Sequence, residues 1–177
     1  MAPAEQEWAT HRLEDYLNIC RQAYRAGDVI KDARFFVRQG LKHFNFSYDT
    51  AVEDHIEPQC VVEFYGLDHR QIFRTFNFFE FTSYTVEDLY CRFWFDLYRR
   101  DEQVTKDLFE SVVPMISGKS MESVYFFNAS EHIVEERASL EMLRFWVKAC
   151  CVTPLIHNEV LRGYLTIIQV RSAGIIS

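Results

Sequence analysis

Cys60-Val61-Val62-Glu63-Phe64-Tyr65, then Gly66-Leu67-Asp68-His69, then Gln71-Ile72-Phe73-Arg74-Thr75-Phe76: two runs of β-formers flank a turn. Val, Ile, Phe and Tyr suit a pleated, half-buried surface, and the Gly-Leu-Asp-His step supplies turn chemistry, so the stretch predicts a β-hairpin. Upstream of it the periodicity is helical. From about Gln6 to Ala26, the residues Ala9, Leu13, Tyr16, Leu17, Cys20 and Tyr24 recur at three- and four-residue spacing and form an apolar stripe. Gly27 is a natural stop and Asp28 a cap for the next element. A second helical pattern carries Ile30, Ala33, Val37, Leu41 and Phe44, weakened by Gly40. Residues 45–58 are polar and acidic and read as a connection.

Downstream of the hairpin, residues 77–89 read as short helices, with Thr85 capping Val86-Glu87-Asp88-Leu89. A longer helix starts near Asp101 and presents Val104, Leu108, Val112 and Met115 on one face; Pro114 and Gly118 mark its end. Three strands are expected after it, at Met121–Phe127, Leu143–Val152 and Leu161–Arg171. A charged insert, Ser130–Glu141, separates the first two, and a hairpin loop over Thr153–Glu159 separates the last two. In the last strand, alternation sets Tyr164, Thr166, Ile168 and Val170 on one face, with Leu165, Ile167, Gln169 and Arg171 on the other. The expected class is therefore α+β: an antiparallel sheet of five strands with short helices on one face, preceded by two N-terminal helices. Residues 1–58 form a helical extension, 59–172 the main domain and 173–177 a tail.

That element order resembles the PAS fold over roughly Cys60–Ser172. PAS domains carry an Asn and an aromatic after the hairpin, then a Thr-Gly-Tyr-like turn and a short acidic helix. The corresponding residues here are Asn77, Phe79, Thr82-Ser83-Tyr84, Val86-Glu87-Asp88-Leu89 and Phe95-Asp96-Leu97. Phe145–Val152 and Gly163–Val170 are similar to the last two PAS strands. Ser83 stands where PAS sequences usually have Gly. The resemblance implies a regulatory sensor or protein-interaction domain of a signalling or transcription-regulating protein. It also implies pairing with a second copy or another PAS-like protein through the N-terminal flank.

Composition narrows the chemistry. The net charge of -7 disfavours direct binding to nucleic acid. Five cysteines, an odd number with no Cys-x-x-Cys, argue against a disulfide framework or zinc finger and for a reducing, intracellular setting, cytoplasmic or nuclear. No apolar run is long enough for a bilayer, so no membrane association is expected. Gly-rich phosphate loops and hydrolase motifs are absent, and no catalytic or metal-ligating set is assigned.

The resemblance raises two cofactors, flavin and haem, and the residues disfavour both. Cys91-Arg92-Phe93 is similar to the Cys-Arg-Phe of flavin-binding LOV domains, but Tyr90 precedes it where they have Asn, and Trp94-Phe95 follow where they have Leu-Gln. Haem would need a His on the long helix, which has none between Asp101 and Met115. The aromatics crowding residues 76–95 either pack as core or wall an apolar ligand pocket. The pocket candidates are Phe76, Phe79, Phe81, Cys91, Phe93, Phe95, Phe145 and Ile168. The stripe Ala9, Leu13, Tyr16, Leu17, Cys20 and Tyr24 needs a cover: either the chain's own sheet or the same helix of a second copy, which would make a homodimer. A cone-shaped NTF2-like binding or isomerase-type domain is the alternative architecture. It too joins N-terminal helices to a curved sheet, but it places most helix ahead of a long meander.

Overall fold

A computed structural model describes residues 3–126, 131–137 and 143–175. Helix α1 spans Pro3–Ala26 and α2 spans Ala33–Phe44. Gly27, at φ +75°, closes α1, with the Asp28 amide donating to the Ala23 carbonyl at 3.0 Å. The cap of α2 is Asp32, not Asp28: its carboxylate accepts from the Arg34 amide at 3.0 Å, while Asp28 receives the Gln39 side chain at 2.6 Å. A short 3-10 helix comes next, at Thr50–His55.

The hairpin forms as expected from β1 (Val61–Gly66) and β2 (Gln71–Arg74). After it come a 3-10 turn at Phe76–Glu80, α3 (Val86–Cys91), the single turn α4 (Trp94–Leu97), and a two-residue strand β3 (Tyr98–Arg99). Thr85 caps α3 in a reciprocal capping box with Asp88. Asp101 caps α5 (Glu102–Ile116), and Pro114 lies within its last turn rather than ending it. Strands β4 (Val124–Tyr125), β5 (His132–Glu136), β6 (Leu143–His157) and β7 (Val160–Ile175) complete the chain.

The class is α+β with an antiparallel sheet, but that sheet has seven strands among the described residues rather than five. Its order is β2-β1-β7-β6-β5-β3, with β4 pairing β6 off this path. The two additional strands are β5 and β3. Strand β5 lies inside the stretch expected to be a charged insert. It alternates His132, Val134 and Glu136 inward against Ile133 and Glu135 outward, so its polar inner residues disguise the β pattern. Glu136 is buried because the Ser83 amide (2.9 Å) and the Thr82 and Ser83 hydroxyls all donate to it. Strand β3 lasts only two residues and leaves no periodicity to read.

The expected loop over residues 153–159 is also strand. β6 and β7 run on to a two-residue turn, Asn158-Glu159, both with positive φ (50° and 63°), the twist that suits a tight hairpin.

Helices cover both faces of the sheet. On one face, Ala9, Tyr16, Ile19 and Ala23 of α1 and Phe36, Val37 and Leu41 of α2 bury against Val62, Phe64, Phe73, Leu165 and Ile167. Part of the α1 stripe thus meets the chain's own sheet. Ala9 and Tyr16 lie in the core and are closed to a second copy, Leu13 and Cys20 are half-buried, and Leu17 and Tyr24 are 53% and 84% exposed. The buried line is rotated toward Ile19 and Ala23, which the expected stripe omitted. Gly40 has a reason for its place: a Cβ there would meet the Phe73 and Phe64 rings at 3.1–3.2 Å. On the other face, Phe78, Tyr84, Leu89, Leu97 and Tyr98 pack on Val61, Val134, Phe145 and Val147.

Candidate functional site

Between this second face and α5 lies a partly open cavity of about 100 Å³. Strand alternation builds its floor. Glu63 and Tyr65 of β1, Tyr164, Thr166 and Ile168 of β7, and Phe145, Val147 and Ala149 of β6 point into it. The register shift between Ala149 and Cys151 is a bulge that turns Val152 back to the same side as Ala149. His132 and Val134 of β5 extend the floor. The opposite wall comes from Phe78, Trp94, Tyr98, Arg100, and Leu108, Phe109 and Val112 of α5.

A polar line crosses this apolar surface. Glu63 stands opposite Arg74 on one side and Thr166 on the other in the β ladders. That register hands Glu63 a salt bridge from Arg74 and a hydrogen bond donated by the Thr166 hydroxyl at 3.0 Å. The same Arg74 nitrogen donates to the Tyr65 hydroxyl at 3.1 Å, and the guanidinium lies over the Phe78 ring at 3.8 Å. Glu63 and Arg74 are both buried. Burial alone would lower the Arg74 pKa, but the Glu63 carboxylate, with Tyr65 and Tyr98 beside it, outweighs that and holds it above the usual arginine value. Arg74 therefore keeps its charge in the interior.

The tyrosines of the cavity are donors. Burial, then the charge of Glu63, raises the Tyr65 phenol well above its usual value. Burial does the same for Tyr98 and Tyr164. Tyr164 stacks on Tyr65 at 5.3 Å and its hydroxyl is hydrogen-bonded to His69 Nδ1 at 2.7 Å. Burial lowers the His69 pKa, which keeps that imidazole neutral near pH 7. Arg100 projects from the segment between β3 and α5 and lays its guanidinium on the Trp94 ring at 4.6 Å. Trp94 in turn stacks on Phe109 at 5.1 Å.

Of the expected pocket residues, Phe145 and Ile168 line this cavity. Neither Phe76 nor Phe79 lines it: Phe76 packs toward α1, and Phe79 lies between that core and the cluster on the second face. In a 3-10 turn residues three apart eclipse one another, so Phe76 and Phe79 share one side and Phe78 takes the cavity side. Phe81 is half-buried outside the lining, and Phe93 and Phe95 stack on each other at 5.0 Å. Cys91 is exposed and does not line this cavity. Among the lining residues that sequence reasoning passed over are the charged ones, Glu63, Arg74 and Arg100. A charge inside each apolar hairpin strand, Glu63 in one and Arg74 in the other, was the available signal for the first two.

Among the described residues no group of three or more His, Cys, Asp or Glu could hold a metal ion. All five cysteines are free thiols, and burial pushes Cys60 and Cys151 up to about 11 and about 12. No described helix is long and apolar enough to cross a membrane. No protein-family model, curated protein or solved structure matches the chain.

Proposed function

We propose that this chain is a PAS-type binding module that holds a compact small molecule in the cavity between its sheet and α5, and that it acts as a regulatory rather than a catalytic domain. The cavity is the observation that carries the reading. Protein interiors are close-packed, and a void of about 100 Å³ walled by aromatic rings is of the order of the ~150 Å³ that accommodates benzene in an engineered core. The element order supports the PAS-type architecture: a hairpin, short helices, a longer helix, then strands of which the last, β7, returns to pair β1. The NTF2-like alternative fits less well, because α5 interrupts the strands after the hairpin instead of preceding them. A regulatory role suits a polar line whose carboxylate is held on both oxygens, by Arg74 and Thr166, and so is poorly placed to take up a proton. Five free thiols suit a reducing, intracellular setting.

The test uses Trp94 as reporter. With Trp8→Phe and Trp146→Phe in place, benzamide should shift the Trp94 emission saturably. Adding Ala149→Phe fills the floor of the cavity and should abolish the shift while the circular dichroism stays native. A linear, unsaturable response, or one indifferent to Ala149→Phe, would overturn the reading.

A further inference from the structure

The charges in the cavity wall do not balance. Glu63 is the carboxylate there, and Arg74 and Arg100 are two guanidinium groups. Glu63 is fully engaged by Arg74 and Thr166. Arg74 is only partly engaged. One terminal nitrogen serves Glu63 and Tyr65, its Nε lies 2.7 Å from the Gln71 side-chain amide, which accepts when turned with its oxygen toward Arg74, and Nη1 is buried with no partner among the described residues. Arg100 has no carboxylate and no side-chain hydrogen bond among the described residues, its Nε is buried without a partner, and it rests on the face of Trp94. Burial presses its pKa below the ordinary arginine value, which is the mark of a cation short of compensation. The Tyr65 hydroxyl already accepts from Arg74, so its own proton is available to a third group. The spare capacity of the wall is thus on the donor side. This cationic excess is enclosed in a chain whose net charge is -7.

Guanidinium N–H groups buried without a partner, as at Arg74 Nη1 and Arg100 Nε among the described residues, are costly, and an anion bound beside them removes that cost. A planar fork of N–H donors matches a carboxylate in geometry as well as charge. Taking the binding-module reading as its basis, we infer that the ligand is a compact carboxylate bearing a single ring, its charged end received by Arg100 and the open edge of Arg74 and its ring set among Trp94, Phe109 and Phe145.

Benzoate and benzamide have the same ring and nearly the same shape and differ in charge, so their ratio isolates the carboxylate. In the Trp94-reporter protein, benzoate should bind about tenfold more tightly than benzamide, the scale of one charge-assisted hydrogen-bonded contact. Arg100→Gln should erase that preference, read as the ratio of benzoate to benzamide dissociation constants within the variant. Arg100→Lys keeps the charge without the fork and should retain only part of the preference, so the role of Arg100 can still be read if the Gln variant does not fold. Equal binding of the two probes would overturn the carboxylate inference and leave the binding module standing. A benzoate preference that survives both substitutions would show that Arg100 does not receive the charge. Failure of both probes to bind would overturn the binding-module reading itself.

Discussion

Residue by residue, the cavity is governed by one cross-strand row, Arg74–Glu63–Thr166. Each strand contributes one polar side chain to an otherwise apolar face, and each is tolerable only because the ladder sets the next beside it. The net worth of such a pair is small, because desolvation offsets most of the attraction. Breaking it is another matter. Glu63→Gln leaves the Arg74 charge buried and uncompensated and should cost about 3–5 kcal/mol in urea denaturation. Replacing both, Glu63→Leu with Arg74→Met, should recover most of that loss. If the double variant is as unstable as the single, the pair contributes through something other than mutual neutralisation. Gly163 is similarly constrained: a Cβ there would stand 1.9 Å from the Tyr65 carbonyl oxygen, a backbone atom that cannot step aside.

Among the elements, α1 shows how a helix divides its labour. Its buried line runs through Ala9, Tyr16, Ile19 and Ala23, while Leu17 and Tyr24 face solvent. Tyr16 packs against Phe36, Phe73 and Phe79, but its hydroxyl is buried with no partner among the described residues. An unsatisfied buried hydroxyl is a standing cost, so Tyr16→Phe should raise stability by about 1 kcal/mol. Tyr16→Ala should lower it by about 3–5 kcal/mol, as for other large aromatic truncations. Leu17→Glu, on the exposed side, should stay within about 0.5 kcal/mol. Thermal or urea unfolding of the three variants checks the assignment of faces: a large loss for Leu17→Glu together with a small one for Tyr16→Ala would invert it.

At the scale of the whole molecule, the helices of residues 1–58 and the sheet share one core. Phe36, Phe64 and Phe73 form a contiguous ring cluster across α2, β1 and β2. Cutting the chain before residue 59 would strip α1 and α2 from that face and expose Phe64, Phe73, Leu165 and Ile167 together. Residues 59–175 expressed alone should therefore lack a cooperative unfolding transition, whereas the full chain should unfold with superimposable far-ultraviolet dichroism and tryptophan fluorescence curves. A truncated chain that melts cooperatively would show that the extension is an accessory layer and not part of the core.

Periodicity and turn chemistry, which are local, made much of this protein legible from residues alone. They placed α1, α2, α5, the β1–β2 hairpin and the facing of β7, on which Tyr164, Thr166 and Ile168 do look into the cavity. They also placed Thr85 as a cap and the start of α5 beside Asp101, since a helix start needs only a side-chain oxygen before a helical run. What they missed depends on partners distant in sequence. β5 reads as a charged insert until Thr82 and Ser83 satisfy Glu136 from 53 or 54 residues away. Pro154 reads as loop until β7 pairs alongside it. Phe76 turns from the cavity because α1 arrives on its side. A hydrophobic pattern states which side chains must leave water; which surface receives them, and whether a gap remains between, is settled only when distant segments close on one another.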